Sequence, residues 1–184
     1  MMGRRKRKGR NRRGFTITEL ATVAAVVSSI PAGAYMKAKE KAHQTECISN
    51  LRQIGQMVEM HKMEDDDTLP RATFYPADIN ADNSIYKILK SQGDTSRIMT
   101  CPSMPDKLKE KTLTFVYNDD LAGKRGVDNM HKRWLLTEFT CVSSIAPPAH
   151  PNGWNYLFAD GHVATHRVVP KKITEARAAT ERPE

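Results

Sequence analysis

The chain has 184 residues, a formal net charge of +8 and only 7% aromatic residues. This composition excludes a protein with many membrane spans, and the length is enough for one membrane helix and one modest domain. Eight Arg and Lys residues stand at positions 4–13 with no acidic residue among them. The remaining 21 basic residues equal the 21 acidic residues in number. The chain from Gly14 onward is therefore formally neutral, and we expect no nucleic-acid partner.

An uninterrupted stretch with a single charged residue, positions 15–36, follows the basic segment. As an α-helix it would be about 33 Å long, which matches the roughly 30 Å hydrocarbon core of a bilayer. The preceding cations are expected to stay in the cytoplasm while the rest of the chain crosses the membrane. We predict five regions: a basic leader at 1–14, a membrane or filament-core helix at 15–36, an amphipathic helix at 37–64, a globular head at 65–169 and a polar, mobile tail at 170–184.

Three interpretations of the first forty residues fit this pattern. A secretory signal peptide could be cleaved after Ala34, which would release a secreted or periplasmic binding module. An uncleaved membrane anchor is the second. Glu19 counts against both, because a charge at the centre of a bilayer costs about 2.5–3.5 kcal/mol. The third, which rests on the resemblance described next, is cleavage after Gly14. The new amine of Phe15 in a neighbouring subunit could then pair with Glu19 inside an apolar bundle.

The sequence Gly14-Phe15-Thr16 followed by Glu19-Leu20 resembles the processing motif of type IV prepilins and type II secretion pseudopilins. The resemblance implies that a prepilin peptidase cuts after Gly14 and methylates Phe15, and that other pilin or pseudopilin subunits are partners. It also implies a single pass in the bacterial inner membrane, with the head in the periplasm until a periplasmic or cell-surface filament forms. Pro31 falls earlier than the proline commonly seen in such helices.

Residues 37–64 contain no proline and many strong helix formers, which predicts that the helix continues into the head. It is expected to end near the acidic run at 64–67, shortly before Pro70. Gly55, in mid-helix, would allow a strand or loop to pack closely. Apolar and neutral residues recur at spacings of three, four or their multiples and predict one amphipathic face: Ala38, Ala42, Ile48, Leu51, Ile54, Val58 and His61.

The head is predicted to be a small antiparallel sheet, which gives an α+β fold with a long amino-terminal helix. Aromatic and β-branched residues predict strands at 113–117, 134–139, 154–158 and 163–169. Asp160-Gly161 predicts a type I′ hairpin turn between the last two strands. Trp154, Tyr156 and Phe158 alternate along their strand and should share one face. A short helix is expected at 84–91, with Asp82 or Ser84 as its N-cap.

Catalytic and metal-binding patterns are weak. Residues 78–84 have the early oxygen spacing of a calcium loop but lack its glycine and its final glutamate. His162 and His166 suggest a metal site, and His150 with Asp160 suggests acid–base chemistry. No nucleophile, glycine-rich phosphate loop or Cys-x-x-Cys pair accompanies them. We therefore predict that the protein is not an enzyme and binds no metal or cofactor.

Two further segments resemble a pseudopilin-like family. The stretch from Cys47 to Gly55 is similar to its Cys-x-x-Asn-Leu-(Lys/Arg)-Gln-Ile-Gly segment, and His150 followed by Asp160-Gly161 matches its His-x9-Asp-Gly signature. The three cysteines predict one disulfide and one remaining thiol, with the connectivity left open by the sequence. Because Cys47 and Cys101 both match family segments, the resemblance favours a disulfide between them. It also implies that His150 bonds to the Asp160-Gly161 turn or to the long helix.

Overall fold

Five α-helices and four β-strands are present in residues 16–28, 32–110 and 113–180, which are the residues that the computed structural model describes. The helices are α1 (Ile17–Ser28), α2 (Ala32–Glu64), α3 (Ile85–Leu89), α4 (Asp106–Lys109) and α5 (Lys171–Thr180). The strands are β1 (Phe115–Tyr117), β2 (Trp134–Glu138), β3 (Trp154–Phe158) and β4 (Val163–His166). The chain divides into two compact units, Met1–Ala38 and Lys39–Glu184.

The four strands form one antiparallel sheet in the order β1-β2-β3-β4. Phe115 lies opposite Glu138 in the β1–β2 pair, and Trp154 lies opposite His166 in the β3–β4 pair. The predicted α+β class and the four predicted strands are confirmed. β3 has the predicted bounds, whereas β4 ends three residues earlier than expected.

The second half of α2 supplies one side of the main core. Cys47, Leu51 and Ile54 are fully buried and Val58 is 1% exposed, so the buried row follows spacings of four, three and four residues. The helix ends at Glu64, as the sequence predicted. The predicted face is wrong at its beginning, because Ile48 is only half-buried while Cys47 faces the core. The exposed positions Ala38 and Ala42 do not belong to this row either.

The β3–β4 hairpin packs on α2 at Gly55. A Cβ atom added at Gly55 would lie 3.0 Å from Leu157 Cδ1 and 3.6 Å from the carbonyl oxygen of Gly161. The close approach predicted at this glycine is confirmed. A side chain at position 55 would require the end of the Leu157 side chain to shift by a few tenths of an ångström.

The hairpin turn differs from the predicted type I′. Gly161 N–H donates to the Phe158 carbonyl at 2.9 Å, and Phe158 N–H donates to the His162 carbonyl at 2.9 Å. Among the residues of this turn, all of them described, only Gly161 has a positive φ, 85°. These features define a three-residue loop, a type I turn followed by a left-handed glycine. Asp160 therefore keeps an ordinary backbone, and its Oδ1 accepts a 3.2 Å bond from His162 N–H.

The aromatic face of β3 forms a second, smaller core. Trp154 and Tyr156 cluster with Cys141 and Ile173, and Phe158 packs against them, which confirms the predicted shared face. Ile173 belongs to α5, so the predicted mobile tail is wrong from Lys171 to Thr180. The polar composition of this segment concealed one buried anchor, since Ile173 is 0% exposed.

Ionic contacts also hold α5. Lys172 Nζ bonds Asp120 Oδ1 at 2.7 Å and also contacts Asp119. The short helix α3 shows a second difference from expectation. Ser84 has the backbone position of its N-cap without a side-chain capping bond, and Asp82 pairs instead with Lys87 at 2.7 Å.

Helix α1 begins with a reciprocal cap. Thr16 N–H and Thr16 Oγ1 each donate to Glu19 Oε2 at 2.9 Å, and Glu19 N–H donates back to Thr16 Oγ1 at 3.3 Å. This is the capping-box arrangement that satisfies otherwise unpaired amides at a helix start. Glu19 thus has a local structural role that the sequence analysis did not anticipate.

The predicted leader at 1–14, the cleavage pair Gly14-Phe15 and residues 29–31 lie outside the described residues. The single predicted helix from 15 to 64 appears as α1 and α2, and the three residues between them are not described. Within the part of the chain that the structure describes, no helix combines the length and apolar character needed to cross a membrane.

Candidate functional site

Four side chains with metal-ligating or acid–base chemistry converge inside the main core. Cys47 comes from α2, Cys101 from the turn after residue 100, Glu138 from the end of β2, and His150 from the loop before β3. One ligand atom of each lies within 4.8 Å of the corresponding atoms of the other three. Cys47, Cys101 and Glu138 are 0% exposed and His150 is 3% exposed. We call this set the Cys-Cys-Glu-His cluster.

Local structure fixes each member. Cys47 lies on the buried row of α2, and Glu138 is held by its ladder position opposite Phe115. The Cys101 amide donates a 2.6 Å bond to Thr114 Oγ1, which anchors the Cys-Pro-Ser turn against the residue before β1. The cluster therefore joins the long helix to the strand side of the core through tertiary contacts alone.

The His150 loop closes through Gly153. Gly153 N–H donates to the His150 carbonyl at 3.1 Å. Its φ is +125°, and an added Cβ would lie only 2.3 Å from the His166 carbonyl oxygen. A side chain cannot fit there without moving the β4 backbone, so glycine is required to place His150 in the core.

The carboxylate of Glu138 is the centre of the cluster. Its Oε1 lies 2.8 Å from His150 Nε2 and accepts a bond from Cys47 Sγ at 3.0 Å. Cys101 Sγ lies 3.5 Å from His150 Nε2 and 3.9 Å from Glu138 Oε1. A buried carboxylate is stable only when paired and hydrogen-bonded, and these neighbours provide both conditions.

A surrounding layer of polar groups orients the cluster. Asn155 donates its backbone N–H to Glu138 Oε2 and its Nδ2 to Oε1, both at 3.0 Å. Thr165 Oγ1 in turn donates to Asn155 Oδ1 at 2.6 Å. Ser103 Oγ lies 3.2 Å from His150 Nδ1, the ring nitrogen that faces away from the carboxylate. The imidazole is therefore fixed at the ring nitrogen that faces away from the carboxylate, and the carboxylate is fixed at both of its oxygens.

The electrostatic balance follows from these contacts. Burial raises the pKa of the Cys47 thiol. A hydrogen bond from Cys47 lowers the pKa of Cys101 in spite of its burial. Burial also works against a charged imidazole, but the hydrogen bonds to Cys101 and Glu138 outweigh it and raise the pKa of His150 to about 9.

Two kinds of chemistry are compatible with this arrangement. Two thiols, an imidazole and a carboxylate are a donor set for a thiophilic divalent metal. The two sulfur atoms are also neighbours, as a disulfide requires. Both cysteines are free thiols in the structure. The Cys47–Cys101 disulfide that the resemblance favours stays a prediction, and it is the alternative to a metal held by both sulfur atoms. The near-complete burial suits a structural role better than turnover of a substrate.

The sequence motif residues occupy two separate places. His150 belongs to the cluster, whereas Asp160 Oδ1 contacts His162 Nδ1 at 2.6 Å and Gly161 lies against Gly55. His150 thus reaches the cluster and not the Asp160-Gly161 turn. His162 stacks on Phe158 at a ring separation of 4.3 Å. His166 is also an aromatic neighbour of Phe158, so these histidines sit beside a ring and not in the cluster.

Glu138 is the functional residue that sequence analysis missed. Glu138 is the last residue of β2 (Trp134–Glu138) and the only charged residue in that strand. A lone acid in an otherwise buried strand needs a partner for the same reason that a lone acid in an apolar helix does. That signal was available for Glu138 as well as for Glu19.

Comparison of the chain with protein-family models, with curated proteins and with solved structures finds no match.

Proposed function

We propose that the protein is a structural pilin or pseudopilin subunit. It is inserted in the bacterial inner membrane, cut after Gly14 by a prepilin peptidase and assembled into a type II secretion pseudopilus or a type IV-like filament. The observation that carries the proposal is Gly14-Phe15-Thr16 followed by Glu19 at the start of an apolar segment. The head would lie in the periplasm.

The exposure of α1 supports this proposal. Every α1 side chain whose burial is described is exposed, including Ile17 at 88% and Val23 at 57%. The helix sequence ITELATVAAVVS has one charged residue. An exposed helix of mostly apolar residues requires a bilayer or other helices around it. The bilayer meets that requirement before assembly, and a bundle of subunit helices meets it in the filament.

The head supports it through a different feature. The second half of α2 contributes the buried row of the core, and the β3–β4 hairpin contacts α2 at Gly55. A long helix covered by a small antiparallel sheet is the architecture that the family resemblance implies. Such a head needs no catalytic group, and a filament subunit has no reaction to perform.

Glu19 has two possible partners under this proposal, Thr16 of its own chain and the Phe15 amine of a neighbouring subunit. Both bonds from Thr16 go to Oε2, and helix capping needs only that oxygen. A capping role requires an acceptor atom, while pairing with an amine requires a negative charge. The two roles are therefore separable by substitution.

The test uses Glu19→Gln and Thr16→Ala in the full chain. Gln also serves in a capping box, so Glu19→Gln keeps the cap and removes the charge. Thr16→Ala weakens the cap and keeps the charge. Cleavage after Gly14 and incorporation into sheared filaments are measured for both, with the wild-type chain as reference.

We expect Glu19→Gln to be cleaved normally and to enter filaments more than about tenfold less than the wild-type chain. Without the carboxylate, the Phe15 amine of the neighbouring subunit has no partner, and an unpaired buried charge costs about 3–5 kcal/mol. Thr16→Ala should be incorporated to within a few-fold of wild type. If Glu19→Gln assembles as well as wild type, the pairing between subunits does not exist and Glu19 only caps its helix.

A further inference from the structure

We infer that Cys47, Cys101, Glu138 and His150 form a structural site for one tetrahedral divalent metal ion, with Zn²⁺ as the expected occupant. The sequence analysis predicted no metal, because the four donors come from distant parts of the chain and show no ligand spacing. The inference rests on the geometry of the cluster and is independent of the proposed filament role.

The separations between donor atoms agree with tetrahedral coordination. Zinc binds sulfur at about 2.3 Å and imidazole or carboxylate atoms at about 2.0–2.2 Å, so neighbouring ligands of a tetrahedral ion stand about 3.3–3.8 Å apart. Sulfur-to-oxygen separations here are 3.0 Å from Cys47 and 3.9 Å from Cys101, both to Glu138 Oε1. The Cys101 sulfur is 3.5 Å from His150 Nε2, and that nitrogen is 2.8 Å from Glu138 Oε1. These four separations lie within about half an ångström of the tetrahedral values, and all four donor atoms lie within 4.8 Å of one another.

The charges of the cluster favour a cation. Two thiols and a carboxylate are three potential anions in a site that is at most 3% exposed. A divalent ion would balance two thiolates and would leave the imidazole neutral, as a ligand must be. Binding would release the thiol protons.

The surrounding hydrogen bonds are those that metal ligands require. A ligating histidine directs its second ring nitrogen to an oxygen atom, and His150 Nδ1 lies 3.2 Å from Ser103 Oγ. A ligating carboxylate is itself hydrogen-bonded, and Asn155 donates twice to Glu138. Asn155 is fixed in turn by Thr165. With this support, His150 Nε2 lies 3.5 Å from the Cys101 sulfur and Glu138 Oε1 lies 3.0 Å from the Cys47 sulfur.

The donor set selects the kind of metal. Two sulfur ligands with one nitrogen and one oxygen in a tetrahedral arrangement suit Zn²⁺ and are unsuited to Ca²⁺ or Mg²⁺, which prefer oxygen. All four positions are supplied by the protein, so the site is closed. A closed site stabilises the fold by joining α2 to the strand side of the core.

The first experiment measures metal in the full-length protein, purified with reductant and without chelator, and then replaces the metal with Co²⁺. We expect about one zinc ion per chain, and cobalt should give the visible bands of tetrahedral coordination with thiolate-to-cobalt charge transfer. Cys141→Ser is the matched control, because Cys141 is also buried but belongs to the second core. It should keep the metal, whereas Cys47→Ser and Cys101→Ser should lose it.

A second variant, with a smaller change to the core, tests the inference if a cysteine variant does not fold. Ser103→Ala removes only the partner of His150 Nδ1 and should weaken zinc affinity by about tenfold or more while one ion still binds at saturation. A chain that is lighter by two hydrogens, with Cys47 linked to Cys101 and no bound metal, would overturn the inference. So would free thiols that bind neither zinc nor cobalt, or a cobalt spectrum without the thiolate charge-transfer band.

Discussion

Gly153→Ala is expected to be one of the most damaging single-methyl additions in this chain. The added Cβ would lie 2.3 Å from the His166 carbonyl oxygen and 2.7 Å from its carbonyl carbon, and both are backbone atoms that cannot rotate away. The substitution also places alanine at φ +125°, a conformation that costs about 1–3 kcal/mol. Relieving the contact displaces β4 where His166 pairs with Trp154, at the cost of about 1 kcal/mol for each ladder bond lost.

The expected total is about 3–5 kcal/mol, or a fall of about 6–20 °C in Tm for a chain of this length. Gly126→Ala is the matched control. Gly126 also has a positive φ, 54°, but an added Cβ there meets nothing within 4 Å. It should lose only about 1–2 kcal/mol. Thermal unfolding followed by circular dichroism gives both values. Equal losses in the two variants would refute the steric argument and the placement of the His150 loop that depends on it.

Two other expectations concern the carboxyl-terminal third. Ile173→Ala should cost about 2–5 kcal/mol in urea unfolding, because Ile173 is fully buried, while exposed Glu175→Ala should change stability by less than about 0.5 kcal/mol. For Asp160, partial burial raises the carboxyl pKa, but the bonds from His162 outweigh it and hold that pKa below 3.8. Its contribution to stability is therefore present above pH 3.8 and lost as pH falls through the folded-state pKa. An NMR titration should give a midpoint below 3.8, and a midpoint above it would contradict the contact.

The local pattern of the sequence was sufficient for the fold class. Alternating aromatic residues located β3 correctly, and the mid-helix Gly55 correctly indicated the close contact with the hairpin. The turn type was mistaken because Asp160-Gly161 serves both a two-residue loop and a three-residue loop, and only the strand register distinguishes them. The tail was mistaken because the burial of Ile173 depends on the second core and not on its own neighbours.

The cluster could not be assembled from sequence because its members are separated by long stretches of chain. His150 was selected through the family signature, but its expected partner was the turn at Asp160-Gly161 or the long helix. The actual partners are Glu138 and Cys101, which only the sheet register and the Cys-Pro-Ser turn bring near. For Glu19 the difficulty is the reverse. Its unusual position in an apolar segment suggested a partner in another subunit, but Thr16 of the same chain is also a hydrogen-bonding partner.

The mass of the amino-terminal peptide of the protein purified from its native host tests the central claim most directly. The account predicts a chain that begins at Phe15 and carries one methyl group on its amine. A chain that begins at Tyr35, or that retains the basic leader, would contradict the assignment as a filament subunit.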